Sequence, residues 1–68
     1  MSPKQLATLI TARREAVQMT QEELARRAKL SRSYLAKLEA GHSKNPSLLI
    51  LGRLAKALNI ALSELLEQ

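Results

Sequence analysis

The sequence predicts an all-α domain: five short helices in a compact bundle, the second and third joined by a tight turn. Three observations predict it. Apolar residues recur at helical spacing, and no β-branched alternation appears. A serine or threonine stands just ahead of four of the periodic segments, where its hydroxyl can accept from the orphan N–H groups of a first helical turn. Glycine and proline are scarce, at two each.

Ser2-Pro3-x-Gln5 opens the first helix, with Ser2 as cap, Pro3 at the tolerated first position and Gln5 completing a capping box. Leu6, Leu9, Ile10 and Val17 give it an apolar stripe, and it should run from Pro3 to Val17. Thr20 and Glu23 form a second capping box ahead of a helix over Gln21 to Ala28. Ser31 caps the third helix, Arg32 to Ala40, which Gly41 ends in the left-handed conformation. Leu24, Ala25, Leu30 and Leu35 fall where these two helices would press together, and the small Ala25 allows a close crossing. After a polar loop, His42 to Pro46, Ser47 caps a fourth helix from Leu48 to Leu58, with Leu48, Leu51, Leu54, Ala55 and Leu58 inward. Asn59 tolerates positive φ and stops it. Leu62, Leu65 and Leu66 make a short fifth helix.

A length of 68 residues predicts one domain over residues 1–68. Eleven Lys and Arg against six Asp and Glu give a formal charge of +5, which favours a polyanion as partner, although many small soluble domains are basic. Tyr34 is the sole aromatic residue, which disfavours single-stranded nucleic acid stacked on aromatic rings. Without cysteine there is no disulfide or thiolate metal site, and His42 alone builds no metal centre. No cofactor, small-molecule ligand or metal is implied. The residue types assemble no nucleophile–base pair, so no enzyme is expected. No apolar run approaches the ~20 residues that span a bilayer, and no signal-peptide pattern opens the chain, so the cytoplasm is the expected location and no membrane is a partner. A helix that starts Arg-Ser-Tyr, held by a second helix behind it, suits the DNA major groove.

The pattern as a whole resembles the phage-repressor and Cro-like helix-turn-helix family, also called XRE. The resemblance is carried by Met19-Thr20-Gln21-Glu22-Glu23-Leu24-Ala25, Leu30-Ser31-Arg32-Ser33-Tyr34-Leu35, Leu38-Glu39-Ala40-Gly41, Asn45-Pro46-Ser47-Leu48 and Leu54-Ala55-Lys56-Ala57-Leu58 through Leu65-Leu66. It covers nearly the whole chain and implies a lambda-repressor-like fold and a sequence-specific regulator of transcription, a repressor by first expectation, acting on double-stranded DNA at a prokaryotic or phage nucleoid. It further implies that Gln21 contacts a phosphate and braces the first side chain of the third helix. Arg32, Ser33 and Lys37 fall at positions that reach base edges, Arg14 and Glu39 match an internal salt bridge, and Lys44 and Asn45 match a segment touching the sugar-phosphate backbone. Three positions depart from the pattern. Lys29 and Gln18 stand where glycine is common, and Ala61 where the fifth helix usually has a Ser or Asp cap.

Arginine can donate twice to guanine O6 and N7, so Arg32 is the first candidate for base readout; its plainer alternative is a phosphate. Ser33 serves a base or a phosphate. Tyr34 offers its hydroxyl to a phosphate, or packs on the second helix. Arg13, where an apolar residue is frequent, snorkels toward a phosphate. His42, Arg26 and Arg27 read as solvated surface. One helix reads few base pairs, so a homodimer on a palindrome is expected, with Ile60, Leu62, Leu65 and Leu66 as the dimer surface. Two alternatives stay open: an antitoxin or restriction-control protein of the same fold, and a protein-interaction module that does not bind DNA.

Overall fold

The computed structural model describes residues 2–43 and 45–67. Among these the chain forms five helices and no strand: α1 (Pro3–Ala16), α2 (Gln21–Ala28), α3 (Arg32–Glu39), α4 (Leu48–Leu58) and α5 (Leu62–Leu66). The four hydroxyl caps are all made. Ser2 accepts from Gln5 N–H, Thr20 from Glu23, Ser31 from Tyr34 and Ser47 from Ile50, at 3.0–3.2 Å. Ala61 has no side chain to offer α5, but Glu64 reaches back to accept from the Ala61 N–H at 3.2 Å, which supplies half of a capping box.

The helix ends share one device. After α1, α2, α3 and α4 the chain turns through a left-handed residue: Gln18 at φ 58°, Lys29 at 59°, Gly41 at 80° and Asn59 at 56°. In each case the next N–H bonds back to the carbonyl five residues earlier, as in Met19 to Arg14, Leu30 to Ala25, His42 to Lys37 and Ile60 to Ala55. Only one of the four is glycine, so Gln18 and Lys29 each hold a conformation that costs a residue with a Cβ roughly 1 kcal/mol. Gly41 also packs close to α1, where a Cβ would lie 3.7 Å from Lys4 Cα.

The core is aliphatic. Leu6, Ile10, Leu24, Leu35, Leu38, Leu54 and Leu65 are the largest fully buried side chains. α2 packs on α3 and α4, α1 on α3, and α5 on α4. Ala25 and Ala28 lie buried at the α2 crossings. Three expectations need correction. α1 stops at Ala16, with Val17 as its C-cap and half exposed. α3 stops at Glu39, with Ala40 as its C-cap. Leu48 is 63% exposed rather than inward, because the first residue of a helix points its side chain back past the helix end.

Candidate nucleic-acid interface

α3 has an apolar side and a cationic side. Leu35 and Leu38 are buried, while Arg32, Ser33 and Lys37 are exposed. At 100° per residue, Ser33 and Lys37 lie one turn apart on the outward side, with Arg32 at its edge. Among the described residues no carboxylate pairs with Arg32 or Lys37. The only acid of α3, Glu39, is turned inward, its side chain 5% exposed.

Glu39 gathers three elements around it. Arg14 of α1 donates from Nε to Oε2 at 2.9 Å and from Nη2 to Oε1 at 3.0 Å. Thr11 Oγ1 and Gln21 Nε2 each donate to Oε1 at 3.1 Å. The remaining Arg14 nitrogen, Nη1, donates to the Met19 carbonyl at 2.8 Å, which ties the α1–α2 turn into the same network. The hydrogen bond to Glu39 raises the Arg14 pKa above its ordinary value, which holds the guanidinium in its charged form. No buried side-chain nitrogen or oxygen among the described residues lacks a partner. The network fixes the angle at which α3 leaves the bundle.

Gln21 therefore braces the last residue of α3 and not the first. Thr11 and the Met19 carbonyl are members that the sequence reading does not find. A signal exists for Thr11, which lies three residues before Arg14 and so on the same face of α1.

The other candidates are dispersed. Tyr34 is half-buried, its ring packed against the core and its hydroxyl 3.4 Å from Ser43 Oγ, at the start of the α3–α4 loop. Asn45 is exposed in that loop, and Lys44 lies outside the described residues. Arg13 is exposed, and its Nη2 meets Glu64 Oε1 at 2.6 Å, joining α1 to α5. The expected dimer residues divide. Leu65 is fully buried in the chain's own core and has no surface for a partner. Ile60 and Leu62 are half-buried against that core, and Leu66 is 47% exposed. Leu48 and Leu49, absent from that expected surface, are the most exposed large apolar residues described. Leu49 is two residues from the buried Leu51, a spacing that places it on the far side of α4.

The helix-turn-helix family model matches residues 10–65. The chain belongs to this family. It is an XRE-type helix-turn-helix domain, the fold of DNA-binding regulators of transcription. Among solved structures, it is 35% identical to the restriction-modification controller protein C.AhdI from Aeromonas hydrophila, with a TM-score of 0.88 over 93% of this chain and 94% of that one. It is 32% identical to the hypothetical transcription factor NHTF from Neisseria, with a TM-score of 0.89 over 97% and 75% of the two chains. It is 28% identical to SinR, the Bacillus subtilis master regulator for biofilm formation, solved in complex with DNA, with a TM-score of 0.85 over 90% and 97%. Comparison with the sequences of curated proteins gives no match. Within the helix-turn-helix framework, α2 is the supporting helix and α3 the recognition helix.

Proposed function

We propose that the protein is a repressor that binds a palindromic operator as a homodimer, with α3 of each subunit in the major groove. The observation that carries this reading is the outward side of α3: two cations without acidic partners beside a serine, on a helix whose one carboxylate is held inside. Arg32, Ser33 and Lys37 read bases, and Arg32 is suited to a guanine. Gln21, at the N-terminus of α2, lies where first-turn N–H groups favour a phosphate. The Tyr34 hydroxyl and Asn45, at the α3–α4 loop, serve the sugar-phosphate backbone, and the family resemblance assigns Lys44 the same role. Two subunits would read half-sites about 34 Å apart. Leu66, with Leu48 and Leu49, supplies the exposed apolar surface for the dimer.

A restriction-modification controller is the second reading, favoured by the 35% identity to C.AhdI over nearly the full length of both chains.

Selection from a randomised duplex pool at moderate salt, with Arg32→Ala in parallel, tests the proposal. The expected product is a palindrome whose half-sites lose a guanine preference worth about 1–3 kcal/mol in the variant. Weak, salt-labile binding without enrichment would sink the regulator reading in favour of an interaction module.

A further inference from the structure

Away from the outward side of α3, the end of α2 and the C-terminal half of α4 enclose a cleft of about 360 Å³. Arg27, Lys29, Arg53 and Lys56 line it, with Ala28 and Ala57 as its apolar part and no acidic residue among the lining. Among the described residues none of the four cations forms a salt bridge; the field of Arg27 reaches Glu23, one turn back on α2, without an ion pair between them. Arg27, Lys29 and Lys56 lie at helix C-terminal ends, where the macrodipole offsets part of their mutual repulsion. Arg53 has no such compensation. Lys29 occupies a left-handed position at φ 59°, where a residue with a Cβ is strained. Four like charges are thus held together in one cleft, one of them on a strained backbone, with no internal anion to neutralise them.

An anion from outside resolves the arrangement. Lys29 stands two residues ahead of Ser31, the cap of α3, and three ahead of Arg32. Three residues of chain span at most ~10 Å, so Lys29 stays within that distance of Arg32 when α3 enters a groove. We propose that the cleft is a second phosphate-binding surface, and that it seats the sugar-phosphate backbone of the same duplex where it continues past the half-site. This rests on the regulator reading and adds to it: flanking DNA of any sequence contributes to affinity through Arg27, Lys29, Arg53 and Lys56.

The test uses the operator enriched by the wild-type protein, in two lengths: trimmed to its half-sites, and extended at each end by about one helical turn. The variant is R53Q/K56Q; both positions are exposed on α4 and glutamine is a good helix former. On the extended duplex, the dependence of log K on log salt should weaken by about 0.9 for each phosphate that the variant no longer neutralises, hence by roughly 1.8 for two. On the trimmed duplex the variant should match the wild type. Hydroxyl-radical protection should reach into the flanks for the wild type and stop at the half-sites for the variant. An unchanged slope on the extended duplex overturns the proposal and leaves the cleft to an acidic protein. An equal weakening on both lengths also overturns it, since that reflects net charge and not a phosphate seated in the cleft. If the wild type enriches no operator, the regulator reading fails and takes this proposal with it. Enrichment with an unchanged slope removes this proposal alone.

Discussion

Arg14 and Arg32 carry the same guanidinium on two helices that pack together, in opposite surroundings. Arg14 is 14% exposed in its side chain, and all three of its nitrogens donate to Glu39 or the Met19 carbonyl. Arg32 is exposed and has no carboxylate beside it among the described residues. The same contrast holds between the seam where α1, α2 and α3 meet and the outward side of α3. In the seam every charge is matched and hydrogen-bonded, so the charges there fix geometry. Outside, the cations are left unmatched, so their free energy is available to an external anion. A helix-turn-helix domain needs both, because base readout depends on the angle at which the recognition helix is held as much as on its side chains.

The largest expected effect comes from breaking the seam. Glu39→Ala leaves the half-buried Arg14 without its carboxylate, and Thr11 and Gln21 without their acceptor; removing one member of a buried pair costs up to about 3–5 kcal/mol. A domain of this size has roughly 3–10 kcal/mol to lose, so the variant should be largely unfolded or close to it. Arg32→Ala should move stability by less than about 0.5 kcal/mol. Urea unfolding of the two variants side by side checks the contrast, and similar losses in both would abolish it. Next in size is Leu65→Ala, which opens a cavity under α5 and should cost about 2–5 kcal/mol. Leu66→Ala, one residue on, should leave unfolding within about 0.5 kcal/mol of wild type. It should instead weaken self-association in sedimentation equilibrium.

The helices are legible in the sequence where their determinants are local. Ser2, Thr20, Ser31 and Ser47 each cap with a residue three positions away, and Asn59 and Gly41 stop their helices through their own backbone freedom. The sequence misleads where the determinant is distant or the element short. The Arg13–Glu64 ion pair goes unread because the two residues lie 51 positions apart along the chain. Leu65 falls beside Leu66 on an expected dimer surface because five residues of helix are too few to fix the phase of a periodic pattern; packing on α4 puts one inside and the other out. The Arg14–Glu39 pair comes from the resemblance, whereas Thr11 and Gln21 on the same carboxylate are tertiary facts. The cluster at Arg27, Lys29, Arg53 and Lys56 is equally hidden, since α2 and α4 meet only in the folded chain.

Lys29→Gly sharpens the comparison from the outer side. Glycine removes the left-handed strain and should raise stability by up to about 1 kcal/mol. Affinity for duplex DNA should fall at the same time, most at low salt, as a phosphate-facing cation is removed. Opposite signs in thermal unfolding and in DNA titration would mark Lys29 as a residue placed for binding at the expense of the fold. A drop in stability would show instead that the αL turn depends on the lysine.

The smallest effect concerns a carboxylate outside the seam. Glu23 closes the capping box of α2, accepting from the Thr20 N–H at 3.0 Å and from the Thr20 hydroxyl at 3.2 Å. Those bonds, with smaller help from Arg26 and Arg27, hold its pKa below the ordinary 4.5. A carboxylate depressed on folding binds its proton more tightly in the unfolded chain. Its contribution is therefore complete above pH 4.5 and drains away as pH falls through the lower folded-state value. Glu23→Gln has no proton to bind, so the gap in melting temperature between wild type and variant should be constant near neutrality and narrow in acid. A gap independent of pH would mean that the charge on Glu23 contributes nothing at the start of α2, and that any difference lies in the packing of the side chain.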